Sequence, residues 1–137
     1  MEYRKQGELK VTCIASKEDL EFFGVTLDDL LDRTQQGYHF IKKVKELAGM
    51  NQKVNWTNIA YTLQISMLEE DKISLTYSEQ IPDYVESLKH SMVMADNETK
   101  GPLQEFIEAL EKTDEENARK LVARFEKNVR QTKEDSL

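Results

Sequence analysis

The residues able to carry chemistry are few. The chain holds two histidines, His39 and His90, and one cysteine, Cys13. A metal site built on such groups needs paired spacing, and there is no HExxH pair and no second cysteine. Cys13 sits inside the strand-like run Leu9-Lys10-Val11-Thr12-Cys13-Ile14, where a thiol reads as a buried structural group and not as a nucleophile. Both histidines read as surface or rim residues. Two carboxylate clusters remain: Asp28, Asp29 and Asp32, then Glu69, Glu70 and Asp71. Such clusters can serve as acid and base, or bind Mg²⁺ or Ca²⁺. The first is explained as a helix start and the second as a hairpin turn, and solvated carboxylates lack the perturbed environment that function requires. The five glycines form no phosphate-binding loop, and no Ser or Thr sits in a nucleophile elbow. No catalytic residue, metal ligand or cofactor is expected. An enzyme using the clustered carboxylates is the remotest reading.

Composition narrows the partners. The 137 residues suffice for one ordinary domain, or a small domain with an appendage, and can bury a core without staples. With a formal net charge of −7 and a pI near 4.9, the chain lacks the basic face of a nucleic-acid binder. Its richest basic run, Lys42-Lys43-Val44-Lys45, reads as a solvated helix face near a helix C-terminus, where cations suit the dipole. No window approaches a membrane span or a signal peptide, so a cytoplasmic protein is expected.

These residues need elements to position them. The stretch from Ser16 to Gly49 is the best punctuated part of the chain. Ser16 stands three residues before Asp19 and Thr26 three before Asp29, and each pair has the form of a helix-starting cap. Gly24 and Gly49 stand where a left-handed residue can end a helix. Before this stretch, Glu2 to Gln6 and Glu8 to Ala15 read as strands around Gly7, forming a hairpin or one bent strand, with Leu9, Val11 and Cys13 on one face. A short helix is expected at about residues 17–23 and a longer one at about 27–48. The longer helix has an apolar stripe of Leu27, Leu30, Leu31, Tyr38, Ile41, Val44 and Ala48. Gly37 interrupts it and marks a bend or a close backbone approach. Ile59, Tyr61, Leu63, Ile65 and Met67 alternate with smaller or polar residues, and Ile73, Leu75 and Tyr77 repeat the alternation beyond a turn at Glu69 to Asp71.

From Gln80 onward the pattern is helical. Helices are expected at about residues 82–96, 103–112 and 114–131. Their stripes are Ile81, Tyr84, Val85, Leu88, Met92 and Ala95, then Leu103, Phe106, Ile107 and Leu110, then Ala118, Leu121, Val122, Phe125 and Val129. A break is expected at Asn97 to Pro102, a capping box at Thr113 and Glu116, and fraying from Gln131 to Leu137. The fold class is α+β: an antiparallel sheet of N-terminal strands plus a hairpin, packed by two helices, and then an all-helical segment. The division is 1–79 and 80–137.

Without catalytic machinery, protein binding is the natural class. Phe22 and Phe23 are adjacent, so a short helix can hardly bury both on one face. Trp56 lies in the polar stretch Asn55-Trp56-Thr57-Asn58, where an indole either packs over the edge of its own core or anchors an interface. In the helical segment, Phe106, Leu121 and Phe125 are candidates for pairing two chains if they stay exposed.

One family shares this order of features. Met1-Glu2-Tyr3, Leu9-Lys10-Val11, Asp19-Leu20, Gly24-Val25-Thr26, Asp28-Asp29-Leu30, and the hairpin of Tyr61-Thr62-Leu63-Gln64-Ile65 and Ile73-Ser74-Leu75 resemble the N-terminal domain of the MecA family, the negative regulators of genetic competence. The resemblance covers about Met1 to Glu79 and rests on pattern and spacing. It implies an adaptor without a cofactor, whose N-terminal domain binds a client protein for degradation. The best known client in that family is a competence transcription factor. The family's C-terminal domain binds a Clp-type AAA+ unfoldase and is a mixed α/β unit, whereas Gln80 to Leu137 reads as helices throughout. The alternative is a regulatory protein that dimerises through its helical segment, with no link to an unfoldase. Neither nucleic acid nor membrane is an expected partner.

Overall fold

A computed structural model describes residues 1–57 and 60–135, and the side chains of the last helix as far as residue 127. The elements run β1 (Glu2–Gly7), β2 (Lys10–Ala15), α1 (Lys17–Phe23), α2 (Leu27–Leu31), α3 (Gln35–Gln52), β3 (Thr62–Met67), β4 (Ile73–Ser78), α4 (Ile81–Met94), α5 (Asn97–Lys112) and α6 (Glu115–Asp135). The chain divides into two compact units, Met1–Trp56 with Leu63–Ser78, and Thr57–Thr62 with Glu79–Leu137. The fold is α+β, with an antiparallel sheet and an all-helical C-terminal segment.

In the first unit the strands run in the order β1-β2-β4-β3. The two N-terminal strands form a hairpin, with Tyr3 opposite Cys13 and Lys5 opposite Val11. Strand β2 then pairs antiparallel with β4, setting Val11 against Tyr77 and Cys13 against Leu75. Alternation puts Val11, Cys13, Ala15, Ile73, Leu75 and Tyr77 on the buried face. Helix α3 packs there with Ile41, Val44 and Ala48 buried, and the Tyr77 hydroxyl donates to the Ile41 carbonyl at 2.7 Å. On the other face the Thr12 and Thr76 hydroxyls meet at 2.9 Å across directly opposed positions.

Both anticipated capping boxes form. The Ser16 hydroxyl accepts from the Asp19 backbone and the Asp19 carboxylate accepts from the Ser16 backbone, and Thr26 with Asp29 repeats this exchange. Gly24 ends α1 in the left-handed region at φ 71°. The long helix expected over 27–48, however, is two helices. Arg33 takes a left-handed φ of 55°, and Thr34 starts α3 afresh by accepting from the Gly37 N–H. The break changes the phase of the stripe. Leu31 and Tyr38 leave the core, and Phe40 enters it. Gly37 is the close approach, since a Cβ there would overlap the Asp29 carbonyl. Gly49 does not end a helix. It lies inside α3, which stops at a left-handed Lys53. Strand β3 begins at Thr62, and Ile59, which sequence alternation placed in that strand, lies outside the described residues.

The second unit has its own core of Ile81, Tyr84 and Val85 from α4, Ile107 and Leu110 from α5, and Ala118 and Val122 from α6. The Tyr84 hydroxyl donates to Glu126 at 2.8 Å. Buried Glu79 accepts from the Thr57 N–H at 2.6 Å and from its hydroxyl at 2.9 Å. Three sequence expectations are corrected here. The break at Asn97 to Pro102 is helix: α5 starts at Asn97, capped by Asp96, with Pro102 inside it. The third helix is capped by Asp114, not by a Thr113–Glu116 box, because Asp114 Oδ1 accepts from the Asn117 N–H at 2.8 Å. Thr113 instead closes α5. Helix α6 also runs past Gln131 to Asp135, while the Val129 side chain, Ser136 and Leu137 lie outside the described residues.

Candidate functional site

Several of the polar groups that might have done chemistry have structural roles. Burial pushes the Cys13 thiol up to about 12, the behaviour of an inert core thiol. The Asp29 carboxylate accepts from the Thr26 N–H at 3.0 Å, the Thr26 hydroxyl at 3.1 Å and the Thr34 hydroxyl at 2.9 Å. The backbone bond from Thr26 leads in holding its carboxyl below the ordinary value of 3.8, so it works as a joint between α2 and α3. Glu69 to Asp71 form the hairpin turn, with Glu70 and Asp71 in left-handed backbone. His39 and His90 are exposed. Among the described residues no three His, Cys, Asp or Glu side chains converge as a metal site would require.

The aromatic candidates separate. Phe22, at the end of α1, is 86% exposed, although large apolar side chains are ordinarily buried. Its ring meets Phe23 edge-on at 5.4 Å between centroids, and Phe23 meets Phe40 edge-on at 5.3 Å. Phe40 is buried in α3. One exposed ring is thus held by a second, half-buried ring that rests on a third in the core, with edge-to-face geometry suited to aromatic quadrupoles. Glu18 and Glu21 are exposed beside Phe22, and Glu18 lies one helical turn before it on the same face.

Trp56 packs onto its own unit. Its indole N–H donates to the Lys45 carbonyl at 2.9 Å, and the Lys45 ammonium lies 4.9 Å from the ring centroid. A Cβ at Gly49 would come within 2.5 Å of the indole nitrogen, so Gly49 makes room for the ring. Lys45 is therefore no solvated helix residue: it is 5% exposed, whereas Lys42 and Lys43 face water. Phe40 and Gly49 are nine positions apart, about two and a half helical turns, so Phe23 and Trp56 meet opposite flanks of α3 roughly 13 Å apart along its axis. The structure brings Phe22 and Phe23 together and leaves Trp56 out.

Phe106 stacks on Phe125 at 4.5 Å, and Phe106 and Leu121 pack against the second core, all three half-buried. The larger exposed groups there are Val93 and Met94, 74% and 88% exposed at the end of α4. Sequence reading did not single them out, because Val93 and Met94 merely fall off the α4 stripe. In the first unit, Leu31, Tyr38, Met50, Met67 and Leu68 are also exposed. Leu31 and Tyr38 could not be found from periodicity, since the break at Arg33 sets their direction.

No described helix is long and apolar enough to cross a membrane. The molecule is an α+β protein with a helical C-terminal segment, and its described residues include several large exposed apolar side chains. The family model of the negative regulators of genetic competence (MecA) matches residues 1–136, so the chain belongs to the MecA family, whose members are regulatory adaptors. The match extends past Glu79, where the sequence resemblance ends, through the helical segment. The comparison with curated proteins found no match, and the comparison with solved structures found none.

Proposed function

We propose that this chain is a non-catalytic adaptor acting in the cytoplasm. Its first 79 residues bind a client protein, a transcription factor being the best precedent, and the complex serves regulated proteolysis by a Clp-type AAA+ unfoldase. The observation that carries the reading is Phe22. An exposed aromatic ring costs solvation, yet this one is pre-positioned by Phe23 and Phe40. Pre-positioned aromatics bind well because little side-chain entropy is lost on docking. Glu18 and Glu21 add an acidic rim, which favours basic partners and speeds encounter more than it tightens the complex. Phe23 supports the anchor, and Trp56 supports the fold of the same unit.

Reconstitution tests this. With a purified Clp-type unfoldase, its protease and a competence transcription factor from the source organism, the chain should speed loss of the transcription factor. Phe22→Ala should reduce that effect with thermal unfolding unchanged. If the intact chain neither binds nor accelerates degradation of the transcription factor, the adaptor reading fails.

A second reading has a narrower basis. The stacked Phe106 and Phe125 stay half-exposed beside Leu121, an apolar strip on which two chains could pair. Sedimentation at micromolar concentration should then give twice the mass of one chain, and a single-chain mass would remove it.

A further inference from the structure

The two outer strands of the sheet are defended differently. Strand β1 forms one edge with Glu2, Arg4 and Lys5 along it, and the Arg4 guanidinium pairs with Glu2 at 3.0 Å. Charges on an edge are a common defence against an added strand. Strand β3 forms the other edge and reads Thr62-Leu63-Gln64-Ile65-Ser66-Met67, with no charge, no proline and no glycine. Gln64, Ser66 and Met67 are exposed, and Leu63 and Ile65 are half-exposed. Among the described residues no strand lies outside β3, so its outer row of backbone N–H and C=O groups has no ladder partner within the sheet.

We propose that β3 is a docking edge for an extended segment of a client polypeptide, which adds to the sheet as a fifth, antiparallel strand. This rests on the adaptor reading and adds a binding mode to it. Backbone hydrogen bonds give such a complex its register, while alternate side chains of the incoming segment meet Leu63 and Ile65 on one face. Charge sets the direction and the flank. The turn at the end of β3 carries Glu69, Glu70 and Asp71, opposed by Lys72, whose ammonium reaches only to 3.9 Å from Glu70. In an antiparallel arrangement the amino end of the incoming segment lies beside that turn. The preferred occupant is therefore an uncharged, β-forming segment preceded by lysine or arginine.

The test uses the full chain and a fluorescein-labelled decapeptide, two lysines followed by alternating valine and threonine, read by fluorescence anisotropy. Saturable binding is expected. Gln64→Lys with Ser66→Lys, both at exposed positions, should weaken it at least tenfold with thermal unfolding unchanged. Moving the lysines to the carboxyl end of the peptide should weaken it several-fold at low salt. Equal affinity for the wild-type chain and the lysine variant, or no saturable binding, overturns the proposal. So does a doubled sedimentation mass that the lysine substitutions return to one chain, because the edge would then serve self-pairing. If the lysine variant still speeds degradation of the transcription factor as well as wild type, strand addition fails while the adaptor reading stands. If the wild-type chain never engages that factor, the adaptor reading itself fails.

Discussion

The two compact units are stabilised by different means. In the sheet unit, buried geometry depends on individual atoms: Gly37 against the Asp29 carbonyl, Gly49 against the Trp56 indole, and the Tyr77 hydroxyl on the Ile41 carbonyl. In the helical unit the core is a set of aliphatic and aromatic side chains on amphipathic stripes, and its polar tie between Tyr84 and Glu126 is half open to water. The contrast teaches that similar substitutions should have different consequences in the two units. Close-packed backbone cannot yield, whereas a stripe can shift by small movements of flexible side chains.

The sharpest way to break this comparison is Gly37→Ala. The new methyl would meet backbone, not the far end of a side chain, so a loss of about 3 kcal/mol is expected from overpacking. A loss below about 1 kcal/mol in chemical denaturation would show that the α2–α3 joint relaxes and that the contrast is weaker than drawn. Matched tyrosines come next. Tyr77→Phe removes a fully buried hydrogen bond onto the Ile41 carbonyl and should cost about 1.5 kcal/mol. Tyr84→Phe leaves a half-exposed carboxylate that water can reach, so its cost should be only about 0.5 kcal/mol. Equal losses from the two tyrosines would remove the distinction. In the helical unit Pro102→Ala should stabilise, by about 1 kcal/mol, since it restores a donor inside α5 at an exposed position. Unchanged or lower stability would mean that the proline ring is already accommodated by its first turns.

The smallest effect expected is acid sensitivity of the sheet unit. Asp19 and Asp29 are both held below the usual 3.8, chiefly by backbone bonds from Ser16 and Thr26 respectively. A carboxyl depressed on folding contributes stability that is present above its unfolded value and lost as pH falls through the folded one. Thermal midpoints followed from pH 6 to pH 2 should therefore drop below about pH 4. Asp19→Asn with Asp29→Asn, which removes the titrating carboxyls, should flatten that drop. A pH profile unchanged by those substitutions would assign the acid sensitivity to other groups.

Much of this was legible from residue types and short spacings. Ser16 with Asp19 and Thr26 with Asp29 are local devices, complete within four residues, and their hydrogen bonds formed as read. The burial of Cys13 followed from alternation in one strand. Where reading failed, longer reach was involved. The stripe through Leu31, Tyr38 and Ile41 suggested one helix, but a left-handed Arg33 and a cap at Thr34 split it. Lys45 looked solvated because nothing near it in sequence shows that Trp56, eleven positions on, lies over its side chain. Thr113 looked like a cap because the motif fits. The neighbouring Asp114, an equally good acceptor, took the role.

The sequence by itself determined the α+β class, the two N-terminal capping boxes and the resemblance to the MecA family. All of these depend on interactions between residues a few positions apart, or on patterns of period two and 3.6. Only the tertiary structure decided that Phe22 stands exposed against a chain of edge-to-face rings, that Trp56 lies on the opposite flank of α3, and that the uncharged β3 is an outer strand. Those facts depend on which elements become neighbours. Burial and strand order arise from contacts between distant parts of the chain, which no local spacing encodes.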